Sequence, residues 1–599
     1  MKALPFGWLA IVSRFRIPLL LVCFMFCFAS PPAHAAYQVE LTAPAPLNDL
    51  LTEHLDLLRY RDREDIDVDQ LNFMIATVAD QVARLASTEG YFSPRTVVKV
   101  DRESGATTVR LTVDAGPRTK VSKVNIAVSG AAEKHSPAQV DQLLQSWTLT
   151  AGEPFRQPDW ADAKQAGLHI LQRNRYPTAR IRDSEARVYA DEQETELIVN
   201  YDSGPLFTVG EPKISGASRY PESIIRNVNP LRTGEEYSSD RLLEFQRQIL
   251  RTPYFSNAVV DIDRKAAHAE RAPVNVQVTE YPAQRVRAGA GYTTDTGAHL
   301  DGRYSHNNLF GRAWVLNAQT RLEQERQFGA LELAMPPVSG GFVHSMHGSV
   351  ERTTLEGVEL HSRRIGARRA RATEKRDTAY TIDHYRDRLE QLSGATLPPD
   401  IVVQPGTHQA LVAGIDRTRR QVDNLVFPRK GRVVSVQAGV ALKGLLSDQT
   451  FFRIYGHARE YLPIGRRDLV ILHVELGAVV TKGGNAAIPA SLLFRAGGTD
   501  SVRGYDFQSI GNKRNGTVYP TRFLATGSIE YQHWISERWG GAVFYDVGMA
   551  TDSWNGESLF HAVGVGARWR SPVGSVRADL AYGFQGNRLR PHLSLGAAF

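Results

Sequence analysis

A glycine-rich segment near the C-terminus, Phe494–Gly511, has the sequence FRAGGTDSVRGYDFQSIG and contains residue types used in phosphate binding and acyl transfer. A phosphate-binding loop needs a lysine after its second glycine, whereas Gly498 is followed by TDSVRGYD. A nucleophile elbow needs glycine two residues before and after its serine, and Thr499 and Arg503 occupy those positions around Ser501. The segment therefore predicts neither a nucleotide site nor a catalytic serine, and a mobile glycine-rich loop is the simplest alternative.

One other pair of residues has the chemistry of a hydrolase. His473 and Glu475 lie two positions apart in a strand-like segment, so they share one face. Hydrolysis would also need a nucleophile beside them, and a lone pair of this kind is more often structural. Residues 37–282 contain no nucleophile motif, paired carboxylates or metal-spaced histidines and cysteines. We therefore predict no catalytic residue, metal site or cofactor, and we expect that the protein is not an enzyme.

The N-terminus has the pattern of a secretory signal peptide over residues 1–35. Basic residues precede the apolar run Ile17–Ser30, and Ala33 and Ala35 have the spacing of a cleavage site. The alternative is a membrane anchor, but the run is shorter than the roughly 20 residues that a spanning helix needs. The sequence thus predicts export from the cytoplasm.

Removal of the signal peptide would leave a chain without cysteine, because Cys23 and Cys27 both lie within it. It would also lower the net charge from +7 to +4, a mild excess that gives no reason to expect nucleic acid binding. No later apolar run is long enough for a spanning helix. These features leave a periplasmic or secreted protein, or an outer-membrane barrel whose strands are only ~10 residues long.

The N-terminal half contains an internal repeat. LTAGEPF (Leu149–Phe155) and LRTGEEY (Leu231–Tyr237) share a leucine, a Gly-Glu pair and a final aromatic residue. Repeats of this kind indicate tandem small domains, although simple structural spacing is an alternative explanation. Strand and helix signals recur in the order β-α-α-β-β, and we predict domains at 37–118, 119–206 and 207–282. Sheets in such domains present edges to which a partner strand can add.

Helical signals stop near residue 284, and alternation of apolar with polar or small residues takes over. In 576–583, for example, apolar residues alternate with Arg577, Asp579 and two small residues. A soluble sandwich would show the same alternation, but the charges fall on one consistent face and Tyr and Trp recur near strand ends, as in a membrane barrel. The span 284–599 allows about 16 strands at roughly 20 residues per strand and connection. Alternating strand directions then place a long loop, 482–521, on the extracellular side.

Four motifs in this order resemble those of the Omp85 superfamily, in which periplasmic POTRA repeats precede an outer-membrane barrel. HNNLFGRA (His306–Ala313) resembles its N-N-L-F-G turn, FRAGGTDSVRGY its loop-six motif, FYDVG (Phe544–Gly548) its F-x-D-x-G strand, and GVGARWRSPVGSVRADLAY (Gly564–Tyr582) its penultimate hairpin. The resemblance covers the mature chain. It implies an α+β plus all-β fold, with three POTRA domains before a 16-stranded antiparallel transmembrane barrel in the cell outer membrane.

The resemblance also implies a docking site inside the barrel. In the superfamily, loop six folds into the lumen and its arginine contacts the F-x-D-x-G strand. Arg503 would therefore pair with Asp546 and pack near Phe544 and Gly548, and the alternation independently places Phe544 and Asp546 on the lumen face. The loop-six residues are Gly497, Gly498, Val502, Arg503, Gly504 and Tyr505.

A lateral gate between the first barrel strand, Val286–Tyr292, and the last, His592–Phe599, is a second implication. A client strand would add to the exposed edge of the first strand. Glycine weakens strand interiors, so the seam is expected to pair poorly, although the glycines have the alternative role of relieving crowding. The predicted gate residues are Val286, Gly289, Gly291, Gly596 and Phe599.

Three repeats and the wording AGGTDSVRGYDFQSI resemble the TamA branch of the superfamily. That branch implies insertion of outer-membrane proteins such as autotransporters, with a TamB-like inner-membrane-anchored partner docked on the POTRA repeats. The first repeat is the expected docking site. Unfolded outer-membrane proteins and outer-membrane lipid are the other expected partners. The alternatives are a BamA-like insertase of the same superfamily and a two-partner-type secretion pore, which usually has two POTRA repeats and a plug helix.

Overall fold

The structure is a computed structural model of the full chain. It describes residues 37–63, 65–102, 107–355, 357–392, 405–444, 446–484, 486–514, 516–554, 559–571 and 574–596. The predicted signal peptide lies outside these residues. These residues form two compact units, one comprising the described residues up to Leu171 with Ala179–Ser203, and the other Gln172–Thr178 with the described residues from Gly204 onward.

The first unit contains two three-stranded sheets of identical topology. The elements around the first sheet are β1 (Tyr37–Thr42), α1 (Leu47–His54), α2 (Asp56–Arg59), α3 (Val68–Thr88), β2 (Arg95–Asp101) and β3 (Thr107–Asp114). Those around the second are β4 (Lys120–Ser129), α4 (Ala131–His135), α5 (Pro137–Gln145), α6 (Gln157–Arg173), β5 (Arg180–Tyr189) and β6 (Glu194–Asp202). In each sheet the last strand is central, parallel to the first strand and antiparallel to the second.

Helix α3 shows how one of these domains forms its core. A capping box starts the helix, with the side chain of Asp67 accepting from the Gln70 backbone and the Gln70 side chain accepting from the Asp67 backbone. Apolar residues then recur every three or four positions and face the sheet. The buried residues of the helix are Leu71, Met74, Val78, Val82 and Ala86. Short helices α2 and α4 are additions to the predicted β-α-α-β-β order.

The second unit begins with a third domain of the same topology. Its elements are β7 (Val209–Ser215), α7 (Ser223–Val228), α8 (Ser239–Leu250), β8 (Phe255–Ile262) and β9 (Ala272–Glu280). Strand β9 is central, parallel to β7 and antiparallel to β8. The apolar core contains the buried Phe207, Phe245 and Tyr254. Three sheets with one strand order agree with the predicted repeat of three POTRA domains.

A 16-stranded antiparallel sheet follows in the same unit. Its first eleven strands are β10 (Gln284–Thr293), β11 (Gly297–Leu309), β12 (Trp314–Glu323), β13 (Arg326–Ala334), β14 (Val343–Leu355), β15 (Val358–Ala372), β16 (Arg376–Gln391), β17 (Gly406–Val422), β18 (Gly431–Ala441), β19 (Phe451–Ile464) and β20 (Asp468–Thr481). A long loop containing a small hairpin, β21 (Asn512–Arg514) and β22 (Thr517–Tyr519), comes next. The sheet ends with β23 (Phe523–Trp534), β24 (Trp539–Thr551), β25 (Phe560–Ser571), β26 (Gly574–Gly583) and β27 (Arg588–Gly596).

The sheet is a nearly closed barrel, so the predicted fold class is confirmed. Each strand pairs with its sequence neighbours around the barrel, and β20 pairs with β23 across the long loop. Outward residues include Val286, Ile365 and Val565, which are exposed, whereas Asp546 and Arg568 on the inner face are buried. Among the described helices, none combines the length and the apolar character needed to cross a membrane.

The third POTRA domain contacts one end of the barrel. The Tyr254 hydroxyl donates to the Ala313 carbonyl at 2.7 Å, and the Asn307 amide donates to the Pro253 carbonyl at 3.0 Å. Asn307 and Ala313 belong to the predicted HNNLFGRA turn. Arg247 pairs with Glu374, in the turn between β15 and β16, at 2.8 Å. These contacts identify the POTRA end of the barrel, and the long loop lies at the opposite end.

Candidate functional site in the barrel lumen and at the seam

The long loop follows a sharply turning backbone, which its glycines permit. Gly497, Gly498 and Gly504 have φ values of 104°, 102° and 90°, a region that side chains rarely adopt. Gly504 also lies against the barrel wall, where an added Cβ would come within 2.9 Å of the Gly583 backbone nitrogen. The chain therefore turns at these glycines and presents the residues between them to the barrel interior.

Arg503 is buried in the lumen, and the Nε and Nη2 atoms along one edge of its guanidinium bind the two carboxylate oxygens of Asp546. Arg503 Nε lies 2.7 Å from Asp546 Oδ2, and Nη2 lies 2.9 Å from Oδ1. The Arg503 backbone N–H also donates to Asp546 Oδ2, at 3.1 Å. The guanidinium carbon lies 3.3 Å from the centre of the Phe544 ring. The structure thus brings together three residues that the motifs singled out, with bidentate and cation–π geometry.

Two more carboxylates and a second arginine complete the cluster. Arg503 Nη1 lies 2.7 Å from Glu530 Oε2 and 3.2 Å from Asp579 Oδ2. Arg568 binds the same two carboxylates, with Nε 2.9 Å from Glu530 Oε1. Three carboxylates therefore share two guanidinium groups, and all five side chains are buried. The motif comparison missed Glu530, Asp579 and Arg568 as members, although strand alternation places each on the inner face.

Arg503 stays charged in this setting. Burial alone would lower the pKa of its guanidinium, but hydrogen bonds and charge from Asp546, together with Glu530, raise that pKa above its ordinary value. A buried charge of this kind is tolerated only when its partners are well placed. The loop is consequently fixed to β23, β24 and β26, the strands that carry the three carboxylates.

The remaining motif residues pack around this cluster. Val502 is fully buried, and a Cβ on Gly548 would lie 2.6 Å from Val502 Cγ2. Glycine at position 548 therefore makes room for the loop. The Tyr505 hydroxyl donates to the His561 carbonyl at 2.9 Å, and its ring meets Phe560 edge-on with centroids 5.3 Å apart. The loop-six motif and the F-x-D-x-G strand are thus complementary surfaces.

A second contact network lies at the seam between β10 and β27. Thr499 donates its backbone N–H and its hydroxyl to the two carboxylate oxygens of Asp295, both at 2.9 Å. Asp295 is in the turn after β10. His592, in β27, lies 3.2 Å from the Thr499 hydroxyl through Nδ1 and accepts from the Gly504 backbone N–H through Nε2 at 2.8 Å. One loop therefore holds both sides of the seam. Thr499 lies within the loop-six motif and His592 at the start of the predicted last strand, but neither they nor Asp295 were among the predicted site residues.

The seam itself has little strand pairing. The two strands are the ends of the sheet order, and among the described residues no ladder joins them. The Leu593 backbone N–H donates across the seam to the Thr294 hydroxyl at 3.1 Å. Most of the residues of β10 are exposed, and Val286, which faces outward, is 76% exposed. Within the described part of the chain, the backbone edge of the first strand is therefore open.

The predicted gate glycines have different surroundings. A Cβ on Gly291 would lie 2.5 Å from the His299 ring, so glycine relieves crowding there, whereas at Gly289 the nearest atom would be 3.9 Å away. Gly596 is the last residue of β27 and pairs with Ser575 of β26. Phe599, the remaining predicted gate residue, lies outside the described residues.

His473 and Glu475 do face the lumen side of β20. Glu475 accepts hydrogen bonds from the hydroxyls of Tyr455 and Thr526. In the part of the chain that the structure describes, no three His, Cys, Asp or Glu side chains are grouped in a way that would hold a metal ion.

Comparison with known proteins gives two family matches. The Omp85 superfamily domain matches residues 283–599, and the POTRA family, described as a surface antigen variable number repeat, matches residues 207–281. The first match covers more than half of the chain.

Similar proteins are outer membrane protein assembly factors named BamA. That of Neisseria meningitidis serogroup B is 22% identical over 572 residues, which cover 84% of this chain and 70% of that protein. That of Nitratidesulfovibrio vulgaris is 23% identical over 505 residues, which cover 81% of this chain and 62% of that protein. The crystal structure of BamA from Haemophilus ducreyi lacking POTRA domains 1–3 covers 79% of this chain and 98% of that structure, with a TM-score of 0.57 and 15% identity, a likeness of fold.

The matched barrel domain, the POTRA repeats and the buried loop-six arginine agree with one another. This chain belongs to the Omp85 superfamily, and it is an outer-membrane β-barrel with periplasmic POTRA domains.

Proposed function

We propose that the protein is the outer-membrane component of a translocation and assembly module of the TamA type. It promotes the insertion of outer-membrane proteins such as autotransporters, together with a TamB-like protein anchored in the inner membrane. The observation that supports this proposal is the seam, where no strand formed by the described residues is laddered to the outer edge of β10. An open strand edge is the surface to which a client strand adds by backbone hydrogen bonding.

The seam combines weak strand pairing with a strong loop contact. Opening the barrel between β10 and β27 requires the Thr499–Asp295 contact to break, because these residues lie on opposite sides of the gap. The Arg503 cluster lies wholly on the β23–β26 side, so it stays intact when the seam opens. Loop six is thus held to β23–β26 by the Arg503 cluster, which braces that wall of the gate. Across the gap it is held to the turn after β10 by the Thr499–Asp295 contact, which we call the clasp.

The POTRA repeats are the proposed docking surface for the TamB-like partner, which binds through the first repeat. Its β2 is an edge strand in the sheet order. Val97 on β2 is 52% exposed, and Val68 and Phe73 on α3 are 69% and 68% exposed. Exposed apolar side chains near a free strand edge favour addition of a partner strand.

A BamA-like insertase that acts without a TamB-like protein is the second candidate, favoured by the names of the similar proteins. Co-purification of the full chain from crosslinked outer membranes separates the two. Recovery of an inner-membrane-anchored protein with the chain supports the TamA-type assignment, whereas recovery of no such partner would count against it and leave the insertase assignment standing.

A reversible staple across the seam tests the assembly activity itself. Thr294→Cys with Leu593→Cys places one thiol on each side of the gap, where Leu593 N–H and the Thr294 hydroxyl are already 3.1 Å apart. Because both natural cysteines lie in the predicted signal peptide, no other thiol interferes. We expect oxidation to block insertion of an autotransporter barrel into proteoliposomes and a reductant to restore it, with each single cysteine variant active throughout. Unchanged insertion by the oxidised, crosslinked protein would refute gating at this seam.

A further inference from the structure

A group of arginines faces the lipid on one side of the barrel. On β17, Arg417 and Arg419 share the outer face with Ile415, and the intervening Asp416 and Thr418 face the lumen. The same alternation places further arginines on the outer faces of β15 and β16. We name these residues the arginine patch, and all of them are exposed: Arg369, Arg371, Arg376, Arg417 and Arg419.

The arginine patch has no acidic partner in the described part of the chain. Its nearest carboxylates are engaged elsewhere. Glu374, in the turn before β16, pairs with Arg247 of the third POTRA domain at 2.8 Å. Asp377 pairs with Arg420 at 2.6 Å, and both face the lumen. The positive charge on the outer face is therefore not neutralised by the protein.

Two members of the patch repel each other across adjacent strands. Arg376 and Arg419 are directly opposite in the β16–β17 ladder. Like charges in this position destabilise a sheet unless an anion lies between them. A charged side chain on the lipid face also destabilises a barrel, most strongly at the bilayer midplane and least near the interface. The arrangement is stable only if these guanidinium groups reach a layer that contains anions.

The position of the patch identifies that layer. Arg376 is the first residue of β16, and Arg369 and Arg419 each lie three residues from the strand end at the POTRA side. Tilted strands rise by about 2.5 Å per residue along the membrane normal, so these side chains start within roughly 8 Å of the barrel rim. The adjacent turn contacts the third POTRA domain through Glu374, and this rim is therefore periplasmic.

A groove on the same surface has the amphipathic character of a lipid site. Its volume is ≈ 270 Å³, and it is lined by Arg417, Arg419, Gln421, Arg432, Val434 and Val436. Arg417 lies opposite Val436 and Arg419 lies opposite Val434, so the arginines of β17 line one side of the groove and the two valines of β18 line the other. Arg432 contacts Gln421 at 3.3 Å and lies opposite Glu460, so the unpaired charge in the groove comes from Arg417 and Arg419.

From these observations we propose that the arginine patch binds the phosphate of a phospholipid headgroup in the periplasmic leaflet of the outer membrane. Guanidinium groups bind phosphate oxygens bidentately. The guanidinium carbon of Arg369 lies 4.6 Å from the centre of the Phe342 ring, so an aromatic residue of the kind found at membrane interfaces lies beside the patch. An acyl chain of the bound lipid lies along Val434 and Val436. The proposal needs only the outer-membrane location of the chain and not its assembly activity.

Native mass spectrometry of the full chain in detergent, titrated with dioleoyl phosphatidylglycerol, tests the proposal. Each arginine near an anionic headgroup contributes about 1 kcal/mol, so Arg417→Gln with Arg419→Gln should weaken binding roughly thirtyfold. Arg417→Lys with Arg419→Lys keeps the charge and should retain most of the affinity. Unchanged affinity in the glutamine variant would overturn the proposal.

The chain offers a matched control on the same outer surface. Arg352 and Arg388 are exposed and face outward, but each is paired with a carboxylate, Glu359 at 2.8 Å and Glu390 at 2.5 Å. Arg352→Gln with Arg388→Gln removes the same charge and should leave lipid affinity within about threefold of the wild type, since neutralised arginines contribute little. Equal weakening in both double variants would show a general charge effect and contradict a specific site. Heat-modifiability on gels checks that all variants retain the folded barrel.

Inorganic phosphate distinguishes a lipid site from a free-anion site. At millimolar concentration in the same titration, it should not displace the lipid, because it lacks the acyl chains that contact the valines. Full displacement by inorganic phosphate would reduce the patch to a simple anion site and overturn its assignment to a phospholipid.

Discussion

Thr499 and Asp295 are joined by two hydrogen bonds of 2.9 Å although 204 residues of sequence separate them. Asp295 is in the turn after the first barrel strand, and the Thr499 hydroxyl also lies 3.2 Å from His592 of the last strand. The loop that holds Arg503 in the lumen thus reaches across the seam, which has little strand pairing of its own. Loop six therefore makes hydrogen bonds to both sides of the seam.

Replacing Asp295 should loosen this clasp. Asp295→Ala leaves the part-buried Thr499 N–H without its acceptor, which costs roughly 1–3 kcal/mol. We expect a corresponding fall in the free energy of barrel unfolding, measured in urea by the loss of heat-modifiable migration on gels. Thr296→Val is the control, because the described partner of the Thr296 hydroxyl is Thr293 in the same turn, at 2.8 Å. Equal stability of Asp295→Ala and Thr296→Val would mean that the clasp contributes nothing.

The clasp should also have a defined pH dependence. Burial alone would raise the pKa of Asp295, but the nearby His592 side chain and the hydrogen bonds from Thr499 more than offset it and lower that pKa. A carboxyl with a lowered folded pKa stabilises fully above its unfolded value of about 3.9, and its contribution is lost as the pH falls through the folded pKa. The stability difference between wild type and Asp295→Ala should therefore be constant from pH 5 to 8 and shrink below about pH 4. A difference that shrinks already between pH 7 and 5 would contradict this assignment.

Sequence reasoning placed Arg503 beside Asp546 because short motifs specify both residues and strand alternation puts Asp546 inside. It did not place Glu530, Asp579 or Arg568 in the same cluster. Alternation predicts whether a residue faces the lumen or the lipid. It does not predict which inward residues of different strands are neighbours, because that depends on the stagger between the strands of the barrel. Loop contacts such as Thr499 with Asp295 leave no periodic signal at all.

The sequence predicts the fold better than it predicts which charged residues lie on the outer surface of the barrel. Alternation and chain length predict 16 strands, and repeated Gly-Glu signals predict the POTRA domains, because both patterns are local. The segment around Arg369, RRIGARRARATEKR, shows many arginines, but their division between lumen and lipid depends on the register with β14 and β16. The short helices α2 and α4 lie in connections between larger elements, and the path of these connections is determined by tertiary packing.

Removing the loop-six arginine should have a large effect on the barrel. Arg503→Ala leaves Asp546, Glu530 and Asp579 with Arg568 as their remaining cation in the cluster, and breaking a buried ion pair in this way costs roughly 3–5 kcal/mol. We expect poor barrel assembly or an early urea transition, together with reduced client insertion. Arg514→Ala, at an exposed arginine of the same loop, is the control. Wild-type folding, heat-modifiability and insertion in Arg503→Ala would refute the bracing role.

Alanine substitutions at two glycines of the loop distinguish the effect of backbone strain from the effect of steric contact with the barrel wall. Gly504 and Gly516 have similar φ values, 90° and 82°, so alanine at either position pays a similar conformational cost. An added Cβ would lie 2.9 Å from the Gly583 nitrogen at position 504 and meets nothing within 4 Å at position 516. Gly504→Ala should therefore destabilise the barrel by about 1–3 kcal/mol more than Gly516→Ala, in the same urea assay. Equal losses would mean that contact with the wall is unimportant.

The open edge of the first strand should be the place where a client is captured. Val286 lies on β10 beside this edge and is 76% exposed, whereas Val350 on β14 is 58% exposed but sits within a fully paired part of the sheet. A photo-crosslinking amino acid at position 286 should trap a stalled autotransporter barrel during insertion, and the same amino acid at position 350 should trap much less. Because both side chains face the membrane, contact with lipid-dissolved client alone would label the two positions equally. Equal labelling, or labelling only at 350, would rule out client pairing at this edge, and preferential capture at 286 would locate the insertion step at the seam that Thr499 and Asp295 hold closed.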